Sequence, residues 1–200
     1  MSRKTILALA LSAAIFAPTS ASAATVIVNA QANSSTGGVG KASGLTLAAG
    51  QGFRILSSTN DLWRAGFPLR WSDANGLTGP RFATAADDSG QPVGTQIGQN
   101  FGLWTQNSFS APFGALVGRY ADGTYQLVGA NFTGAATGNG ALRLFYWDSN
   151  NGDNVGDISF TVLTGVPEPL TWALMVMGFG LAGSALRRAK RVQTVRVRYA

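Results

Sequence analysis

The sequence predicts an all-β protein: a jelly-roll-type β-sandwich over residues 24–165, flanked by an apolar leader and one apolar C-terminal helix. Three observations predict it. The apolar residues between the two ends come in short β-branched and aromatic runs. Gly, Asn and Asp clusters separate nearly every pair of runs, and 23 of the 26 glycines lie in this middle part. No apolar stretch there keeps a helical period.

The elements follow in order. The opening "MSRKTILALALSAAIFAPTSASA" has Arg3 and Lys4, an apolar core from Ile6 to Phe16, Pro18, and an Ala21-Ser22-Ala23 site. That is the pattern of a secretory signal peptide over residues 1–23, cut after Ala23, with the Sec translocon and signal peptidase as expected partners. An amphipathic cytoplasmic helix is excluded because the segment has no polar face. Strands are then expected at "TVIVNA" (25–30) and on both sides of a Gly-Gln-Gly turn in "GLTLAAGQGFRILSS" (44–58). Further strands are expected near 60–66, 101–106, 114–120, 124–129, 140–147 and 157–164. In the last of these Ile158, Phe160 and Val162 repeat at period two, as a half-buried strand requires. Seven or eight short strands at this spacing make a sandwich. Residues 83–100 are polar and glycine-rich and are expected as a long loop.

Composition sets limits on chemistry. The formal charge of +6 suggests nucleic acid, but its distribution removes that reading. Between Ala24 and Gly165 seven Arg and Lys face eight Asp, so the basic character belongs to the two ends. No nucleic-acid partner is expected. The chain has no Cys and no His. That excludes a thiol nucleophile, a Ser-His-Asp triad, a histidine base and a conventional zinc site. Carboxylates remain for catalysis, and hard oxygen ligands remain for metals.

The C-terminal stretch "VPEPLTWALMVMGFGLAGSALRRAKR" has eighteen uncharged residues between Glu168 and Arg187. As a helix they span about 27 Å, close to the ~30 Å hydrocarbon core of a bilayer. A transmembrane helix is expected over 170–186, opening at Pro167 and Pro169, with Arg187 and Arg188 held on the cytoplasmic side. Pro167-Glu168-Pro169, Thr171-Trp172-Ala173, the Gly178-Phe179-Gly180 patch and the closing arginines resemble the PEP-CTERM sorting signal over residues 166–191. The resemblance implies recognition by an exosortase, Pro167, Glu168, Pro169, Trp172, Arg187 and Arg188 being the signal residues. It also implies transient inner-membrane anchoring, then release to the cell surface or extracellular matrix. Residues 192–200 ("VQTVRVRYA") extend beyond the usual end of such a signal.

The richest chemistry lies in "YWDSNNGDNVGDISFTV". Asp148, Asn150, Asn151, Asp153, Asn154 and Asp157 offer oxygen ligands, and Gly152 and Gly156 let the backbone converge. Calcium needs six to eight oxygens at about 2.3–2.6 Å. This is not an EF-hand, because the glycine is one position early and no Glu closes the loop. The alternative is an ordinary Asp/Asn/Gly turn between strands. The ordered set "GLTLAAGQGFRI", "WRAG", "SDANGL", "GALVGRY", "LVGANFTG" and "GALRLFYWDSNNGDNVG" resembles the calcium-dependent galactophilic bacterial lectins. That resemblance covers most of residues 25–163 and implies a galactose-binding-domain-like sandwich with a Ca²⁺ bridging the last loop and a sugar. By resemblance Asp148, Asn151, Asp153 and Asn154 would hold the metal. Asp148 and Asp153 would also meet the sugar, and a carbonyl of Arg64 or Ala65 would reach in from across the site. This chain departs from the family in a shorter Asp148–Asp153 segment, in two extra residues before "SFTV", and in lacking the sugar-contacting histidine. Asp73, Asn75 and Gln91 are the polar residues available in its place, and Asp73 is taken as the further carbohydrate contact.

The leading expectation is therefore an exported, calcium-dependent carbohydrate-binding sandwich, extracellular polysaccharide being its expected partner. A structural matrix protein with a silent sandwich is the alternative. A glycosidase pairing Asp87 or Asp88 with Asp148 is a third, needing two acids about 5–9.5 Å apart. Trp63, Trp71, Trp104 and Trp147 are candidates for sugar stacking, with three of the four expected in the core. Arg119 and Arg143 are expected to point to solvent.

Overall fold

A computed structural model describes residues 23–163 and residues 169–191. The leader up to residue 22, Pro167, Glu168 and residues 192–200 lie outside the described residues. In chain order the elements are β1 (Ala23–Asn29), β2 (Lys41–Leu47), β3 (Gly52–Leu56), β4 (Trp63–Ala65) and β5 (Trp71–Ser72). Then come β6 (Arg81–Phe82), β7 (Gln96–Gly98), β8 (Leu103–Gln106), β9 (Phe109–Pro112), β10 (Leu116–Arg119) and β11 (Tyr125–Leu127). The series ends with β12 (Asn131–Ala135), β13 (Gly140–Tyr146), β14 (Asn154–Val155), β15 (Asp157–Leu163) and α1 (Pro169–Arg191).

Two four-stranded antiparallel sheets form the body. One runs β1-β15-β3-β12 and the other β11-β10-β13-β2. Alternation explains why they face each other. Val26 and Val28, Phe53 and Ile55, and Ile158, Phe160 and Val162 are the buried members of the first sheet. Leu45, Leu47, Leu116, Leu142, Leu144 and Tyr146 are inward members of the second, and they share one apolar cluster with the first; Val117 of β10 is buried in a separate cluster with Trp147. Each such side chain contributes about 1.5–3 kcal/mol by leaving water, so a one-residue slip of any strand would expose its whole set. The strand run ending at Leu163 shows the expected period of two: Ser159 and Thr161 are exposed between buried neighbours.

The structure adds to the sequence expectation and departs from it at several points. The strands expected on the two sides of the Gly-Gln-Gly turn are present and enter different sheets: β2 pairs with β13, and β3 pairs with β12 and β15. The Gly-Gln-Gly turn carries the chain from one sheet to the other. The strands expected near 60–66 and 101–106 pair in small sheets rather than in the two main ones, and β12 enters the first main sheet where the sequence predicts no strand; the small sheets are β14-β4-β5, β6-β7 and β8-β9. Residues 83–100 are loop as expected except where β7 pairs with β6. Trp63 and Trp147 are buried; Trp71 and Trp104 are half-buried against satellite clusters, so two rather than three of these rings are fully inside. Arg119 and Arg143 are exposed as expected.

Helix α1 contains the start expected at Pro169. The side chains described on it, including Met175, Val176, Met177, Phe179, Leu181 and Leu186, are exposed, and Arg187 is exposed at its cationic end. Among the described residues no helix is long and apolar enough to cross a membrane; the side chains described on α1 are those of 175–184, 186 and 187, and the span expected over 170–186 lies partly outside them.

Candidate functional site

The acidic-amide loop runs from the end of β13 through β14 to the start of β15. Its floor is rigid. Trp63 sits edge-on to Tyr146 at 4.7 Å and its indole N–H donates to the Gly114 carbonyl at 2.8 Å. Ser35, far away in sequence, clamps the main chain of Asp148. Its hydroxyl donates to the Asp148 carbonyl at 2.9 Å and accepts from the Asp148 N–H at 3.1 Å. The segment around Ser35 also bonds both backbone groups of Tyr146. The loop is therefore held from below and from one side.

Pairing of β14 with β4 supplies the other side. Asn154 faces Ala65 and Val155 faces Arg64, so the "WRAG" segment lies against the loop, the segment from which a cross-site carbonyl is expected. Gly156, at φ +99°, makes the approach possible: a Cβ there would sit 3.0 Å from the Leu62 carbonyl and the Trp63 Cα. Gly66, at φ +73°, does the same for Asp153, because any Cβ on it would overlap Asp153 Oδ2.

Two carboxylates and an amide meet here. Asp148 is 5 % exposed and accepts from the Ser149 N–H at 2.7 Å. Burial raises its carboxyl above the ordinary value; the Ser149 N–H and the Asn154 side chain offset part of this, and the charge of Asp153 adds to it. Asp153 is exposed at the loop tip and receives the Asn150 amide at 3.3 Å. Asn154 is buried; its amide N donates to the Ala30 carbonyl at 3.3 Å while its Oδ1 has no partner. The Tyr146 hydroxyl below is also unpartnered, and burial together with Asp148 and Asp153 pushes it well above its usual value. A buried amide oxygen and a buried hydroxyl, both without partners beside two carboxylates, leave the site electrostatically incomplete.

The remaining expected residues fall elsewhere. Asn151 receives the Asn154 N–H on its carbonyl at 3.4 Å, and its side chain lies against Gly37. Asp157 accepts from Asn29 at 2.7 Å across β1 and β15. Asp73 is occupied by the Arg81 guanidinium at 3.1 Å and by the Asn75 N–H at 2.8 Å. No hydrogen bond among the described residues joins Asp73 to the loop. Asn75 receives the Ala130 N–H, and Gln91 is exposed in the long loop. Asp87 is bonded to Thr84 and Ser89; partial burial works against it, but these donors outweigh burial and hold its carboxyl down to about 2. Asp88 receives the Leu62 N–H at 2.9 Å, and burial first, then Asp61, raise its carboxyl. Among the described residues no three His, Cys, Asp or Glu side chains gather as a metal cluster.

Sequence reasoning missed two residues beside the loop. Phe67 is 76 % exposed, one residue beyond the Gly66 that touches Asp153. The Arg64 guanidinium lies over both its ring and that of Trp71, 5.7 and 5.3 Å from their centroids. Arg70 reaches the same side of Gly66 and lies over the Phe101 ring at 4.1 Å. An aromatic next to "WRAG" was the available signal, but only the β4–β14 pairing shows which loop it flanks.

No protein-family model matches the chain, and no curated protein matches it. Among solved structures the chain is similar to the EclA N-terminal domain, a PllA-like lectin, at 22 % identity, with a TM-score of 0.42, covering 69 % of this chain and 92 % of that one.

Proposed function

We propose that residues 23–163 are a calcium-dependent carbohydrate-binding domain of galactose-binding-domain-like jelly-roll type. The observation that carries this is the orphaned Oδ1 of buried Asn154 beside the buried Asp148 carboxylate and the Asp153 charge. A divalent cation supplies what those oxygens lack, and Asp148, Asp153 and Asn154 with an Asn151-region carbonyl would hold it. Two carboxylates would balance its charge. Bound there, the ion would exchange water for vicinal sugar hydroxyls, with Asp148 and Asp153 as acceptors and Phe67 as a flat apolar neighbour. Asp73, in its ion pair with Arg81, would act on the sugar only by exchanging that partner.

The address segments complete the reading. The sequence supports export through the Sec translocon and signal peptidase, exosortase recognition of Pro167, Glu168, Pro169 and Trp172, and anchoring through 170–186 with Arg187 and Arg188 inside. The exposed apolar side chains of α1 support an apolar surrounding for that helix.

The test is thermal melting with calcium or EDTA, followed by titration with galactosides and other neutral sugars. Calcium at a hundredfold excess over its dissociation constant should stabilise by about 2.7 kcal/mol, and sugar heat should appear only with calcium. Calcium-dependent melting with no sugar response would favour the matrix-scaffold alternative. Absence of both effects would remove the proposal. The glycosidase reading has no support in the geometry, since Asp87 and Asp88 are engaged by their own neighbourhood.

A further inference from the structure

Arg119 and Arg143 stand directly opposite each other on β10 and β13, both exposed on the outer face of their sheet. Like charges facing across a ladder destabilise it. Among the described residues the only ion pair is Asp73 with Arg81, so neither arginine has a carboxylate partner. The acid nearest Arg119 along the chain, Asp122, is occupied by the N–H groups of Thr124 at 2.9 Å and Asn139 at 2.6 Å, and the one nearest Arg143, Asp148, is buried in the acidic-amide loop.

Hollows flank the pair on both sides. One, of about 390 Å³, is lined by Gly44, Thr46, Ala121 and Ala141 as well as both arginines. It lies at an irregularity of β2, where the register steps from Ala141–Thr46 to Arg143–Ala42 and Ser43–Leu45 face Leu142 alone. The Ser43 hydroxyl satisfies the Leu142 carbonyl at 2.8 Å, which fixes the step. The second hollow, of about 300 Å³, is lined by Gly38, Gln106, Asn107, Tyr125 and Phe145 and again by both arginines. Arg119 lies 5.6 Å from the Tyr125 ring centroid, and the Asn107 amide holds the Tyr125 hydroxyl at 2.9 Å.

We propose that this trough binds a linear acidic polysaccharide, one sugar carboxylate lying on the Arg119–Arg143 pair and its neighbours in the two hollows. The planar guanidinium fork matches a carboxylate, and the aromatic walls suit sugar faces. A small anion would leave both hollows unused. A nucleic-acid duplex draws its affinity from many phosphate contacts, and this face offers two cations. Only the choice of a sugar polymer rests on the carbohydrate reading above; the trough is separate from the calcium loop.

The test is binding of the full-length chain, in detergent and EDTA, to polygalacturonate, with neutral dextran and duplex DNA as comparators. EDTA silences the calcium loop, so wild-type binding measured in it reports the trough. The R119Q/R143Q variant should bind at least about tenfold more weakly, and R119K/R143K, which keeps charge but not the fork, should fall in between. The R119Q/R143Q melting temperature should equal or exceed that of the wild type, because a repulsive pair has gone. Unchanged binding by R119Q/R143Q would assign the effect to the terminal cations and overturn the proposal. So would a large fall in its melting temperature, no wild-type binding at low salt, or equal affinity for DNA or dextran.

Discussion

Asp148 is where burial and charge oppose each other most. Its carboxyl is raised in the fold, first by desolvation. In cation-free protein the contribution of this group is therefore fully present below the unfolded carboxylate range and is lost as pH rises through the raised folded value. Calcium needs the ionised form, so its affinity should run the other way and fall as pH drops through that raised value. Isothermal titration across a pH series should show calcium lost at a higher pH than an ordinary aspartate would give. In Asp148→Asn the buried charge is gone. That variant should lose the calcium-induced rise in melting temperature and, in EDTA at neutral pH, melt no lower than the wild type. A lower melt in EDTA would mean that the carboxylate itself supports the fold.

The elements that matter most are the short ones. The β4–β5 turn brings Gly66 and Phe67 to the loop, and each makes a different prediction. Gly66→Ala must place a side chain at φ +73° and against Asp153. The backbone alone should cost about 1–2 kcal/mol, read as a lower denaturation midpoint, and calcium binding should be lost with it. Phe67→Ala removes an exposed ring, so stability should change by less than about 0.5 kcal/mol. Calcium affinity should hold while sugar affinity drops about tenfold, or ~1.4 kcal/mol; equal sugar affinity would remove Phe67 from the site. Neither residue stands out in the sequence. The strands carrying Phe53, Ile55, Ile158, Phe160 and Val162 do, because burial at period two writes itself into composition. The loop at 148–154 stands out too, by its density of oxygen side chains. What the sequence does not carry is partner choice. That β2 and β3 belong to different sheets, and that Ser35 clamps a residue 113 positions away, depend on long-range closure rather than local pattern. Asp73 is the counterpart: its exposed-looking polarity gave no sign of Arg81.

At the scale of the molecule, one apolar cluster draws on both main sheets. Residues 23–163 produced alone should therefore unfold in a single cooperative transition with a β-type far-ultraviolet spectrum. Separate transitions followed by near- and far-ultraviolet signals would show that the sheets are independent. The near-neutral charge of this part, against the cationic ends, is also a whole-chain property that bulk composition hides. The ladder between β1 and β15 pairs Ala23 with Leu163 at one end and Asn29 with Asp157 at the other. Residues 23 and 163 thus lie at one pole, and the acidic-amide loop, which runs into Asp157, lies at the opposite pole, about 20 Å away along seven residues of strand. If the proposed tail tether holds, such a body would carry its proposed sugar-binding tip outward, like a bulb on a stem.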